Sequence, residues 1–193
     1  APLAPLAPTL APTTTPPPAA AKLPPGACSS QDGTATSEAY PCYCGTSTCS
    51  SFTICVADAN RCADAVMDFE MTFVNIDYDR LRVLSSLMRG LHSIAKQVVE
   101  AAAGGGISAS DVEVKLAKVE KGTVARITVN VPSGTDAVAV RAMLLETPGV
   151  GSPGSTPSAL TANAGKFMPA RSGIISIAPI TKPVISAAEL AAP

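Results

Sequence analysis

The stretch VMDFEMTFVNIDYD, residues 66–79, decides how the chain is to be read. Met67, Phe69, Met71 and Phe73 alternate with Asp68, Glu70 and Thr72. A strand places successive side chains on opposite faces, so the large apolar groups point one way and the polar ones the other. This predicts a sheet with one buried and one wet face. Asn75-Ile76-Asp77 ends the run, and Asp77 or Asp79 is placed to cap a helix. That helix is predicted to bury Leu81, Leu84, Met88, Leu91, Ala95, Val98 and Ala102, a stripe at steps of three and four. Gly104-Gly105-Gly106 stops it, because glycine adopts positive φ at little steric cost.

Further out, Val112, Val114 and Leu116 alternate with Glu113 and Lys115. Lys121-Gly122 is read as a hairpin turn. Ala125, Ile127, Val129 and Val131 then alternate with Arg126, Thr128 and Asn130. Thr135 or Asp136 opens a second helix with Val138, Ala142 and Leu145 expected inward, ended by Pro148-Gly149. The order is β-α-β-β-α. One more strand completes a split βαβ (βαββαβ) sandwich of the ferredoxin-like kind, in the α+β class. Gly173-Ile174-Ile175-Ser176-Ile177-Ala178 is the candidate, an edge strand bounded by Pro179 and Pro183. The predicted domain spans residues 66–178.

Before it lie six cysteines: Cys28, Cys42, Cys44, Cys49, Cys55 and Cys62. The stretch 28–62 has too few apolar side chains for a core, so cross-links must stand in for one. Six cysteines pair in fifteen ways, and the sequence does not choose among them. Zinc ribbons use paired Cys-x2-Cys knuckles, whereas the gaps here are thirteen, one, four, five and six residues. Disulfides are therefore expected rather than a metal. They imply an oxidising compartment, outside the cell or in an organelle lumen.

Residues 1–27 are almost entirely Pro, Ala, Thr and Leu. Ala-Pro-Leu repeats with the period of a polyproline II helix. Such a segment has no core of its own. It is a stiff stalk with candidate O-glycosylation at Thr13, Thr14 and Thr15, or an assembly arm presenting Pro2, Leu3, Pro5, Leu6, Pro8 and Leu10. The tail, residues 179–193, offers Ile180, Val184, Ile185 and Leu190 between prolines. Extended apolar segments of this type cover a groove or add a strand to a neighbouring copy.

The 193 residues carry a formal net charge of −1 and only 4% aromatics, with no Trp. No basic block is present, so nucleic acid and anionic membrane are poor partners. No run is long enough to span a membrane. Ala1-Pro2-Leu3 does not open a signal peptide, and a mature, processed chain is the expectation. Gly149-Val-Gly151-Ser-Pro-Gly154 spells a dinucleotide fingerprint but follows a helix and is interrupted by Pro153, so it reads as a loop. His92, the single histidine, reads as a partly buried structural group. No catalytic or cofactor constellation appears, and the chain is expected not to be an enzyme.

Two sets of motifs carry a resemblance. Cys28-Ser-Ser-Gln-Asp-Gly33, Pro41-Cys-Tyr-Cys-Gly-Thr-Ser-Thr-Cys49, Cys55 and Cys62 resemble a short cysteine-rich module of dinoflagellate surface and secreted proteins. Asn75-Ile-Asp-Tyr-Asp79, Val112-Glu-Val-Lys-Leu116, Gly122-Thr-Val124, Ile127-Thr-Val-Asn-Val-Pro132 and Gly173-Ile-Ile-Ser-Ile177 are similar to a SEA-like domain of the same organisms. The resemblance covers residues 28–178. It implies a ferredoxin-like sandwich and, in some SEA domains, self-cleavage at a Gly-Ser hairpin. Gly122-Thr123 stands there, but Ala125-Arg126 replaces the expected valines, so a plain turn is the reading.

The expectation is a structural subunit whose arms reach copies of itself, forming an extracellular fibre or surface filament. The alternatives are a lumenal accessory subunit of an algal photosynthetic complex in the thylakoid, and an adhesion or ligand-binding module.

Overall fold

The computed structural model describes residues 26–147 and 176–188. They form a mixed α+β protein with sheets, three helices and disulfide-bonded cysteines.

The cysteine module comes first. It holds β1 (Asp32–Thr36), β2 (Cys42–Cys44), β3 (Ser47–Cys49), β4 (Ile54–Val56) and β5 (Arg61–Ala63). β1, β4 and β5 form one sheet in that order, and β2 and β3 form a separate hairpin. Cys28 bonds Cys42, Cys44 bonds Cys55, and Cys49 bonds Cys62. Two of these bolt the hairpin onto β4 and β5. Cys42 faces Cys49 across the hairpin and Cys55 faces Cys62, yet each pairs elsewhere. The module's buried cluster is largely sulfur, with Tyr40 and Ala57 packed against it. Closing loops of this length contributes about 3 kcal/mol per bond, which replaces the missing apolar core.

The larger sheet is built from β6 (Ala65–Val74), β7 (Val112–Val119), β8 (Gly122–Asn130), β9 (Ser176–Ile177) and β10 (Val184–Ala187). Its order is β10-β6-β8-β7, with β9 further along the same edge of β6, and every pair is antiparallel. The alternation in β6 is as expected: Met67, Phe69, Met71 and Phe73 are buried. Val112 and Val114 of β7, with Ala125, Ile127 and Val129 of β8, share that core. Helices α1 (Tyr78–Val83), α2 (Ser85–Ala103) and α3 (Ala137–Glu146) supply the rest.

The first helix is not continuous. Leu84, with φ −109° and ψ 89°, breaks it into α1 and α2. Asp77 caps α1, accepting from the Asp79 and Arg80 amides. The break shifts the phase of the apolar stripe, so Leu84, expected inward, is 48% exposed. Leu91, Ala95, Val98 and Ala102 are buried as predicted, and Met88 is half-buried. The inward face of α3 also differs from the expectation. Ala137, Val140 and Leu144 are buried, whereas Val138 is 42% exposed, Ala142 is exposed and Leu145 is half-buried. The segment is apolar on nearly all sides, so its periodicity carries no phase.

The last strand departs further. Only Ser176 and Ile177 of the predicted edge strand are paired within the described residues, and the edge continues through β10. Phe73 faces Ile177 and Asp68 faces Val184, so two extra residues are accommodated between them. This is a bulge containing Pro179 and Pro183, which have no amide to donate. It is held by the Ala178 amide on Thr72 O and the Thr181 amide on Glu70 O. The Glu70 amide in turn donates to the Thr181 hydroxyl at 2.8 Å. The domain boundary expected at residue 178 is therefore misplaced, because β10 belongs to the same sheet.

The turn between β7 and β8 is Glu120-Lys121, one residue before the expected pair, and Gly122 begins β8 with φ 156°. A Cβ on Gly122 would lie 2.1 Å from the Phe73 carbonyl oxygen. Gly122→Ala is expected to lower unfolding stability by about 2–4 kcal/mol. Gly90→Ala, within α2 and with nothing inside 4 Å of its added methyl, should raise it by about 0.5–1 kcal/mol. Urea unfolding of the two variants checks both signs; equal effects would contradict the packing of the hairpin on β6.

Candidate interaction surfaces

The polar face of the larger sheet is the most concentrated array of charged groups. Asp68 and Glu70 project from β6, Arg126 and Thr128 from β8, Glu113 and Lys115 from β7. The Arg126 Nε donates to Glu70 Oε1 at 3.1 Å, and the Thr128 hydroxyl donates to Asp68 Oδ1 at 2.6 Å. Both pairs are exposed, so each contributes about 0.2–1 kcal/mol. Lys115 stands opposite Arg126, placing two cations side by side. A hollow of about 560 Å³ lies over this face, lined by Asp68, Glu70, Lys115, Arg126, Thr128 and Lys182 among others. A second, of about 440 Å³, shares Asp68, Lys115 and Thr128 and extends to Glu113 and Asn130. Both open broadly to solvent and are lined by charges of both signs.

Side chains from the helical segment reach the outermost strand β7. On β7 the Tyr78 hydroxyl donates to Leu116 O at 3.4 Å, and Lys118 forms an ion pair with Asp79 of α1. A lysine and a covering helix are common means of closing an edge to strand addition. On the other side β10 covers β6, and β1 and β4 lie against β10. The Arg61 guanidinium donates to Ala188 O at 3.1 Å, and the Ala188 amide donates to Asp64 O at 2.9 Å.

That placement corrects the reading of the tail. Ile180 and Ile185, taken as contacts for a neighbouring copy, are buried in the chain's own core, while Val184 is exposed on β10. The tail adds its strand to its own sheet because β6 offers the nearest unpaired edge. Leu190 lies outside the described residues. So do Pro2, Leu3, Pro5, Leu6, Pro8, Leu10, Thr13, Thr14, Thr15 and the Gly149–Gly154 loop.

The Sγ atoms of Cys28, Cys42 and Cys49 fall within 4.8 Å of one another. All three are spent in disulfides, and a disulfide sulfur is not the thiolate a zinc ion requires. Thr123, beside the hairpin glycine, is fully buried and its hydroxyl donates to Ile76 O at 3.2 Å. It anchors the hairpin to the start of the helical segment, a role the sequence pattern did not signal.

No family model matches the chain, and neither a curated protein nor a solved structure matches it significantly.

His92 is half-buried on α2, as its place beside the stripe suggested. Burial first, and the Lys96 charge one turn on second, hold its imidazole below the ordinary 6.5. The unfolded chain therefore takes up this proton at higher pH than the folded one. Stability is constant from this source above 6.5, falls as pH drops through the interval down to the lowered folded value, and levels off below it. Denaturant midpoints measured across that interval should show the decline in the parent and a smaller one in His92→Gln. An NMR titration placing the His92 midpoint at or above 6.5 would contradict the assignment.

Proposed function

We propose that the chain is a non-enzymatic structural subunit of an extracellular fibre or surface filament. It assembles with copies of itself, or along a large protein complex, by way of its proline-rich arm. The observation that carries this reading is the closure of the folded body. Three disulfides fix the module, β10 and β9 fill the outer edge of β6 from within the chain, and β7 receives the Tyr78 hydroxyl on Leu116 O. Such a body does not add a strand from a neighbour at β6, and assembly is assigned to the arm and to surface docking. This narrows the sequence expectation, since residues up to 188 of the tail are committed at home.

The strand order β10-β6-β8-β7, with helical connections after the first and third strands, supports a ferredoxin-like sandwich and the SEA-like relationship. The disulfides are compatible with a secreted protein, and no helix among the described residues is long and apolar enough to cross a membrane. A second reading, a ligand-binding or adhesion module, draws on the hollow over the charged sheet face.

Negative-stain electron microscopy of the purified native chain tests the first reading. Fibres are expected from the full chain. A form lacking residues 1–25 should keep its circular dichroism spectrum and lose them. A monodisperse monomer at every concentration would contradict the proposal.

A further inference from the structure

The two ends of β6 carry surfaces of opposite character. The cysteine module leads into its first residue, Ala65, and α1 follows its last, Val74. The 10 residues of this strand separate the two ends by about 33 Å.

At the module end, Tyr43 is 58% and Phe52 36% exposed. Between Gly26 and Ala63 the module carries Asp32, Glu38 and Asp58, all exposed, against a single base. That base, Arg61, is turned to the Ala188 carbonyl. The net field at this pole is negative.

At the far end lies the helix break. Val83 is 79% exposed and Leu84 48%. Arg82 and Arg89 flank them and make no ion pair among the described residues. The acids of the same segment are engaged: Asp77 caps α1, and Asp79 pairs with Lys118. The net field at this pole is positive. Exposed leucine and valine beside two bases at one end, and exposed aromatics on a module with more acids than bases at the other, are complementary in charge. Apolar anchors ringed by charge are the usual composition of a specific contact, and opposite fields set its orientation.

We propose that these poles dock head to tail, the cysteine module of one copy seating on the α1–α2 break of the next. This rests on the structural-subunit reading and adds a contact between folded bodies to the one made by the arm. The two patches differ, so the contact is heterologous, and repetition along β6 extends a filament instead of closing a dimer. Opposed charges make it weaken as salt rises.

The experiment is sedimentation velocity on the full chain and two charge-reversed variants, Arg82→Glu/Arg89→Glu and Glu38→Lys/Asp58→Lys. The parent is expected to self-associate at low ionic strength and to dissociate at about 0.5 M salt. Each variant alone should associate at least tenfold more weakly. An equimolar mixture should regain association, because the reversed pole of one matches the reversed pole of the other; that recovery also shows that both variants are folded. Variants that associate as the parent does would overturn the docking while leaving the structural-subunit reading in place. A parent that stays monomeric at low salt would overturn both. A basic pole that binds vesicles of anionic lipid while self-association is unaffected by either variant would assign that pole to a membrane surface and overturn the contact between copies.

Discussion

The pairing of β10 with β6 is the constraint on which the rest of the molecule depends. Val184 to Ala187 run antiparallel to Ala65 to Asp68, at the place where the cysteine module meets the larger sheet. The strand is only 4 residues long, yet it satisfies the edge of β6, buries Ile185 and presents its far side to β1 and β4. Two backbone positions fix the junction: Asp64 O accepts the Ala188 amide, and Ala188 O accepts the Arg61 guanidinium. Gly33 of β1 is close enough that an added Cβ would lie 3.7 Å from Ala187 Cβ. Ile54, though part of the module by sequence, is fully buried in the main core cluster. The module and the larger sheet with its helices therefore share one interior rather than meeting at a linker.

This arrangement settles how each half obtains its stability. The larger sheet and its helices rely on apolar burial, from the odd positions of β6 through β7, β8 and α2. The module has almost none of that and relies on three covalent loops. Joined by β10, they make a body in which the edge of β6 is already used. Tyr78 reaches β7, and Lys118 of β7 pairs with Asp79. A chain of this kind is protected against indiscriminate strand addition. Among the described residues, the charged sheet face and the two ends of β6 are the most developed side-chain surfaces.

The sequence disclosed what period and composition control. A strand with one wet face prints its alternation directly, and β6, β7 and β8 were legible for that reason. The cysteine spacing pointed to disulfides because a stretch so poor in apolar groups needs them. Four features were hidden. Leu84 has good helix propensity, and nothing local marks it as a break; its backbone is set by how α1 and α2 pack separately. The phase of α3 was invisible because apolar side chains surround it. The destination of the tail was hidden by Pro179 and Pro183, which argued against a strand, while the bulge they create lets pairing resume two residues out of step. The burial of Thr123 against Ile76 O was beyond reach, since a threonine after a glycine is ordinary turn chemistry.

If the interior is shared, the module and the larger sheet with its helices open as one unit. Native-state hydrogen exchange on the full chain measures this, with the amides of β4 and β5 compared against those of β6 and β8. If β10 joins them, both groups open with the same free energy, and Ile185→Asp lowers protection in both together. If the module amides keep their protection while those of β6 lose theirs, the two halves are independent and the shared interior is wrong.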